Sequence, residues 1–276
     1  IIKKFGTIDI LINAAGVYGP IGLFGGNDIK KWTETLQINL IGTANCAHAV
    51  LPTMTKNKAG KIINFSGGGA VNSFSNFSAY ATSKAAVVRF TENLAAEYKD
   101  FNIQVNAIAP GAVNTKLLGE VLAAGPEKAG KDFYEKSIKQ QREGGEDPKL
   151  AADLILFLIS GSLTGKLISA KWDNWKEWDE ADIERINNSS EYTLRRIDNK
   201  YFFEINPGNI SEPDFIIAGV ELKTTPLKKH AKSKFASKER LVFSMINYDT
   251  VVNETWKLSS FLKKNKSLLL MFYLWI

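Results

Sequence analysis

The chain has 276 residues, room for one large domain or two smaller ones. With 45% hydrophobic and 23% charged residues its composition is that of a soluble globular protein, and its longest apolar run, Leu268–Ile276, is too short to span a bilayer and reads as a strand. The single cysteine, Cys46, excludes an internal disulfide, fits a reducing, cytoplasmic setting, and reads as a small buried helix residue. The net charge of +6 is uneven, +2 over residues 1–203 and +4 over residues 204–276. Within 221–240, seven Lys and Arg stand against Glu221 and Glu239, a basic patch compatible with a phosphate-bearing partner or with a solvated loop. No secretory signal opens the chain, which begins with Ile1 in what reads as the end of a helix, and both termini read as cut.

In chain order, Ile8–Asn13 reads as a fully buried parallel strand, closed by the turn Asn13-Ala14-Ala15-Gly16. A glycine-rich loop, 17–27, leads to Asp28, the expected N-cap of a long helix over 28–52 with Trp32, Leu36, Leu40 and Ala47 on a helical period. Asn39 falls inside that helix, and its neighbours Ile38 and Leu40 point to burial rather than a solvent-facing position. A second strand over 61–66 ends in Ser66-Gly67-Gly68-Gly69, and a helix over 79–99 follows. Tyr80 and Lys84 share a face of that helix, where an ammonium beside a phenol would lower the tyrosine pKa and suit it to proton transfer. Taken alone, this spacing is also that of a surface tyrosine with a snorkelling lysine. A strand over 103–108 is broken by Pro110-Gly111, which opens a loop through Thr115. Asp147-Pro148 opens a helix through Ser160, and a last strand covers 166–170. Trp172–Trp178 reads as a tail packed on the domain, with ligand stacking the weaker alternative. Strands alternating with helices imply right-handed βαβ units and a parallel sheet.

Asn13-Ala14-Ala15-Gly16, Asn39, Ser66, Tyr80-x-x-x-Lys84 and Asn106-Ala107-Ile108-Ala109-Pro110-Gly111, in this order, resemble the short-chain dehydrogenase/reductase family over residues 1–203. The resemblance implies a Rossmann-type fold and hydride transfer between NAD or NADP and a carbonyl or alcohol substrate, with a homo-oligomer compatible. Tyr80 would be the acid/base, Lys84 would tune it and hold the ribose, Ser66 would orient the substrate oxygen, and Asn39 would anchor a relay water. Asn13, Ala14 and Gly16 would approach the dinucleotide, and Pro110, Gly111 and Thr115 would cover the nicotinamide. Two departures stand out. The family's serine lies thirteen residues before the tyrosine, where this chain has Gly67; Ser66 is one residue further back, and Ser73 and Ser75 are outside candidates. The family's Gly-rich pyrophosphate turn has no counterpart, and the first strands and helices read as missing.

From about residue 204 the character changes. Pro213-Asp214 and, six residues on, Glu221-Leu222-Lys223 place two carboxylates and a lysine where a hairpin edge could hold Mg and a metal-bound water, although an exposed charged hairpin has the same pattern. With Lys238-Glu239-Arg240-Leu241 and Leu268–Tyr273, this segment resembles part of the MutH-like and GATC-cutting endonucleases. That resemblance implies Asp214 and Glu221 as metal ligands, Lys223 as the catalytic lysine and DNA as partner. The expected architecture is therefore α/β: a partial doubly wound Rossmann-type parallel sheet over 1–203, then a partial restriction-endonuclease-like core over 204–276. The oxidoreductase reading stands first, the endonuclease second, and an inactive fused fragment third.

Overall fold

The computed structural model describes residues 2–196, together with the backbone of two short strands at Lys228–His230 and Ser233–Ala236. The chain divides into two units, Ile1–Asn199 and Lys200–Ile276.

In the first unit, four short runs dominated by Ile, Val and Ala become strands: β1 (Ile10–Asn13), β2 (Gly60–Phe65), β3 (Ile103–Ala109) and β4 (Leu167–Ser169). They lie side by side in that order, every pair parallel. The register sets Asn13 beside Asn64, Asn64 beside Ala107 and Ala107 beside Leu167, so the carboxyl ends of the strands are level. The strands expected at 8–13, 61–66, 103–108 and 166–170 are present and parallel, each within two residues of its expected ends.

Side chains alternate across the sheet and meet helices on both faces. Ile62 and Val105 pack against Ala47, Val50, Leu51 and Met54 of α3 (Gly42–Asn57) and Leu94 and Ala95 of α4 (Ser78–Glu97). Ile63, Ile108 and Ile168 pack on the other face against Ala151, Leu154 and Leu158 of α7 (Pro148–Ser160) and Ile186 of α8 (Glu180–Asn187). Helices on both faces of a parallel sheet make the fold Rossmann-type α/β. The remaining helices are α1 (Ile2–Phe5), α2 (Ile29–Leu36), α5 (Lys116–Ala129) and α6 (Lys131–Glu143).

The helix expected over 28–52 begins as foreseen, with the Asp28 carboxylate accepting from the Lys30 backbone N–H at 2.8 Å. It then widens into a π-turn at Gln37–Ile41 and continues as α3 through Pro52 to Asn57. The π-turn rotates the buried stripe onto Thr35, Asn39, Thr43 and Ala47, leaving Leu36 and Leu40 half-buried. Cys46 corrects its expectation: it sits one residue off that stripe and is exposed. Asp147 caps α7 by accepting from the Lys149 N–H, with Pro148 at its first turn.

The tryptophan-rich tail packs on the sheet's outer helix. Trp175 is buried and donates its indole N–H to the Ala170 carbonyl at 3.0 Å, and Trp178 leans on Phe157 and Tyr192. Trp172 alone of the three is exposed. Among the described residues no helix is long and apolar enough to cross a membrane.

In the second unit, β5 (Lys228–His230) and β6 (Ser233–Ala236) pair antiparallel, Lys228 opposite Ala236 and His230 opposite Ser233. Asp214, Glu221, Lys223 and the apolar run Leu268–Ile276 lie outside the described residues.

Candidate active site at the carboxyl ends of the strands

The alanine-rich start of α4 is a strong helix former, and its four-residue spacing sets Tyr80 and Lys84 on the face turned toward β2 and β3. Both are buried, at 7% and 4% exposure. The Lys84 ammonium donates to the Phe65 carbonyl at 2.8 Å, the last residue of β2, and stands 5.6 Å from the Tyr80 ring centroid. Opposite it lies the turn after β1. A Cβ added at Gly16 would stand 3.3 Å from Lys84 Nζ and 3.4 Å from Asn39 Oδ1, a tight fit, so the glycine keeps that cradle open.

Asn39 is fully buried, as its neighbours suggested, and the π-turn aims it at the same turn. Its Oδ1 accepts from Val17 N–H and its Nδ2 donates to the Val17 carbonyl, both at 2.9 Å. The amide also donates to Ser83 Oγ at 2.9 Å, and the Asn39 backbone carbonyl accepts from Thr43 Oγ1. The side chain thus clasps the backbone between Gly16 and Tyr18. Asn13 is tied into the sheet, donating to Asn64 Oδ1 at 2.9 Å, and Asn64 donates in turn to Thr91 Oγ1. Ala14 is exposed beside it.

Ser66 is buried, and its hydroxyl donates to the Lys84 carbonyl at 3.4 Å, which braces α4 on the end of β2. The residue that abuts the Tyr80 hydroxyl is Gly67: a Cβ there would stand 2.4 Å from Oη. Ser73 and Ser75 are exposed on the following loop. Pro110 and Gly111 turn the chain out of β3, with Gly111 at φ +88°, and Thr115 caps α5 by accepting from Leu117 N–H. The loop between them is pinned from outside, by Gln140 on Ala112 and Asn114 and by a Lys171–Glu146 ion pair beside Gly111.

The electrostatics reverse one expectation. Burial pushes the Tyr80 phenol well above its ordinary value of 10.0, and the neighbouring Tyr18 pushes it further. The expected lowering by Lys84 is not seen: the phenol is buried among rings, and the ammonium, 5.6 Å from the ring centroid, points to the Phe65 carbonyl. Burial also lowers Lys84, to about 8. At neutral pH the site therefore holds a protonated phenol beside an ammonium, the state that gives a proton away.

Around Tyr80 the wall is aromatic. Tyr18 meets it edge-on at 4.6 Å between ring centroids, Phe74 lies at 6.5 Å, and Phe77 and Phe133 extend the cluster. Tyr18 is the residue that sequence reading passed over. Nothing local marks it, since it reaches Tyr80 only through a contact 62 residues away in the chain.

The fold and this site define a parallel α/β unit whose chemistry-bearing residues gather at the carboxyl ends of the strands, where such sheets bind ligands. Residues 1–124 match the family described as short chain dehydrogenase. Residues 203–275 match the family described as DNA mismatch repair enzyme MutH. The chain is 33% identical over 164 residues to the 2,3-dihydro-2,3-dihydroxybenzoate dehydrogenase of Bacillus subtilis (strain 168), covering 58% of this chain and 62% of that one. It is similar in structure to NAD+-bound xylitol dehydrogenase, with 29% identity and a TM-score of 0.54 over 61% of this chain and 69% of the other. It is likewise similar to ElxO with NADP bound, at 29% identity and a TM-score of 0.52, over 61% and 68%. The chain thus spans less than two thirds of the length of the curated relatives it matches.

Proposed function

We propose that residues 1–196 carry an oxidoreductase site of short-chain dehydrogenase type, acting on a small carbonyl or alcohol with NAD or NADP. The observation that carries the reading is the buried Tyr80/Lys84 pair facing the open Gly16 cradle at the level carboxyl ends of β1 and β2. The residues present fit the ribose and nicotinamide half of a dinucleotide: Gly16 leaves backbone approach free, and Lys84 offers an ammonium there. When bound, the cofactor supplies or accepts the hydride at the substrate carbon. Tyr80 gives its phenolic proton to the substrate oxygen during reduction and takes it back during oxidation. Lys84 holds the ribose and opposes a build-up of negative charge on the phenolate. Asn39 fixes the Gly16–Tyr18 turn, and Ser66 braces α4 against β2. Pro110, Gly111 and Thr115 form the loop on the nicotinamide side.

Tyr80→Phe keeps the ring packing and removes the proton. It is expected to lower carbonyl reduction by roughly 10²–10⁴-fold, the usual worth of a positioned general acid, in a spectrophotometric assay of NADPH and NADH consumption. Wild-type rates in that variant would remove Tyr80 from the chemistry.

A second reading concerns residues 203–275 and rests on their match to the MutH family. Asp214 and Glu221 would hold Mg, Lys223 would orient the attacking water, and the basic residues of 221–240 would bind DNA. Lys223→Ala should abolish Mg-dependent cleavage of GATC-containing DNA while leaving binding largely intact; cleavage that survives the substitution would end this reading.

A further inference from the structure

We propose that Tyr18 is the second hydrogen-bond donor to the substrate oxygen, acting beside Tyr80 where this chain has no side chain at position 67. The inference rests on the oxidoreductase reading above and names a further catalytic residue within it.

A developing alkoxide is stabilised by preorganised donors aimed at the oxygen, and each donor lost costs rate. Tyr80 is one. The strand-end residue next to its hydroxyl is Gly67, which has nothing to donate from a side chain, and the Tyr80 oxygen itself fills the space a Cβ would take. Ser66, one residue back, donates its hydroxyl to the Lys84 carbonyl. Lys84 directs one N–H to the Phe65 carbonyl and, on the reading above, its remaining donors to the ribose. Of the two rings that stand against Tyr80, Phe74 carries no donor and Tyr18 carries one.

The Tyr18 ring is held for this task. Its flank is fixed by the double hydrogen bond between Asn39 and the Val17 backbone, a clasp made by a fully buried side chain. Its other contacts are edge-on to Phe77 at 5.1 Å and to Tyr80 at 4.6 Å, so the two phenols lean together at 65°. Neither phenolic oxygen hydrogen-bonds to another described group, although no fully buried side-chain polar atom among the described residues lacks a partner. Both oxygens therefore reach solvent at the mouth of an otherwise apolar wall. Burial and Glu120 keep Tyr18 protonated, with its pKa pushed up to about 12, so it donates without itself releasing the proton. The part-exposed rings of Phe74 and Phe133, backed by the buried Phe77, suit a flat apolar group beside the carbonyl, and an aryl ketone is the substrate class that fits them.

In the step itself, hydride arrives at the carbonyl carbon and the C=O π pair moves to oxygen. Tyr80 delivers its proton to that oxygen, and Tyr18 remains a donor throughout, neither gaining nor losing a proton.

The test is the carbonyl stretch of acetophenone bound to the full chain in the presence of NADP+, which is oxidised and cannot reduce it. Each hydrogen bond to the oxygen lowers that frequency. The expected result is a lowered stretch in the wild type, about half of the lowering lost in Tyr18→Phe and about half in Tyr80→Phe. Tyr18→Phe should also lower kcat for acetophenone reduction on the order of 10²-fold, as loss of one such donor does. A stretch that survives intact in Tyr18→Phe but moves in Tyr80→Phe overturns the assignment of Tyr18 and leaves the oxidoreductase reading standing. A wild type that does not lower the stretch at all overturns both.

Discussion

Burying Lys84 makes stability depend on pH in a direction that can be worked out. In the folded chain its pKa is about 8, against 10.5 for the ordinary side chain. Between these values the unfolded chain holds the proton and the folded chain has lost it, so stability rises with pH across that window. Below pH 8 the full penalty of burying the charge is present. The difference amounts to about 3 kcal/mol across the window at roughly 1.4 kcal/mol per unit. Urea unfolding of wild type and Lys84→Met at pH 7.5 and pH 10 is expected to show this gain in the wild type and its absence in the variant. Equal pH trends in the two proteins would show that the ammonium is not buried as described. The same titration sets an alkaline limb for carbonyl reduction near pH 8, as the ribose contact loses its charge while Tyr80 stays protonated. Lys84→Arg, which keeps its charge, should move that limb upward. Gly67 yields a separate prediction. Because a Cβ there would meet the Tyr80 hydroxyl at 2.4 Å, Gly67→Ser should displace the phenol and lower reduction at least tenfold rather than supply a missing donor. The Tyr80–Lys84 spacing was legible because two residues four apart on a helix share a face whatever surrounds them. The protonation of the pair was not legible, since it follows from the rings and the Phe65 carbonyl, which only the fold brings together.

At the scale of elements, the strands were readable because each is a short β-branched or apolar run, the first three closed by Asn, Gly or Pro and the last preceded by Gly165. Asp28 and Asp147 announced their helices for the same local reason, a side chain that accepts from an N–H two residues on. Helices α5 and α6 were not readable: Gly119, Gly125, Pro126 and Gly130 interrupt the first, and the second is polar nearly all round. Nor was the π-turn, an extra residue inserted in a helix that follows from Asn39 being drawn to Val17 and Ser83. Asn39→Ala removes three hydrogen bonds and strands the Val17 N–H and carbonyl. The expected cost is ~2–4 kcal/mol, at roughly 1–3 kcal/mol for each buried group left unpaired and with partial relaxation. Thermal unfolding would register it, and activity should fall further than stability alone explains, because the turn bearing Tyr18 loses its clasp. Unchanged stability would mean that the clasp adds nothing to the fold.

For the molecule as a whole, the proposed reading supplies ribose and nicotinamide contacts, whereas residues 1–276 contain no Gly-rich strand-to-helix turn of the kind that meets a pyrophosphate. Charge-assisted contacts of that kind contribute roughly 1.5–3 kcal/mol each, so lacking two or three weakens dinucleotide binding by several decades. Calorimetry on the full chain is expected to give a Kd far above micromolar, and a micromolar value would contradict that estimate. Chemistry can still be seen at high cofactor concentration. The most direct measurement is the transfer of deuterium from NADH or NADPH deuterated at the nicotinamide C4 to acetophenone, with the alcohol analysed by mass spectrometry after incubation at millimolar cofactor. The account predicts deuterium at the carbinol carbon with the wild-type chain, reduced at least a hundredfold in Tyr80→Phe. Deuterated alcohol formed equally by wild type and Tyr80→Phe, or by neither, would contradict it.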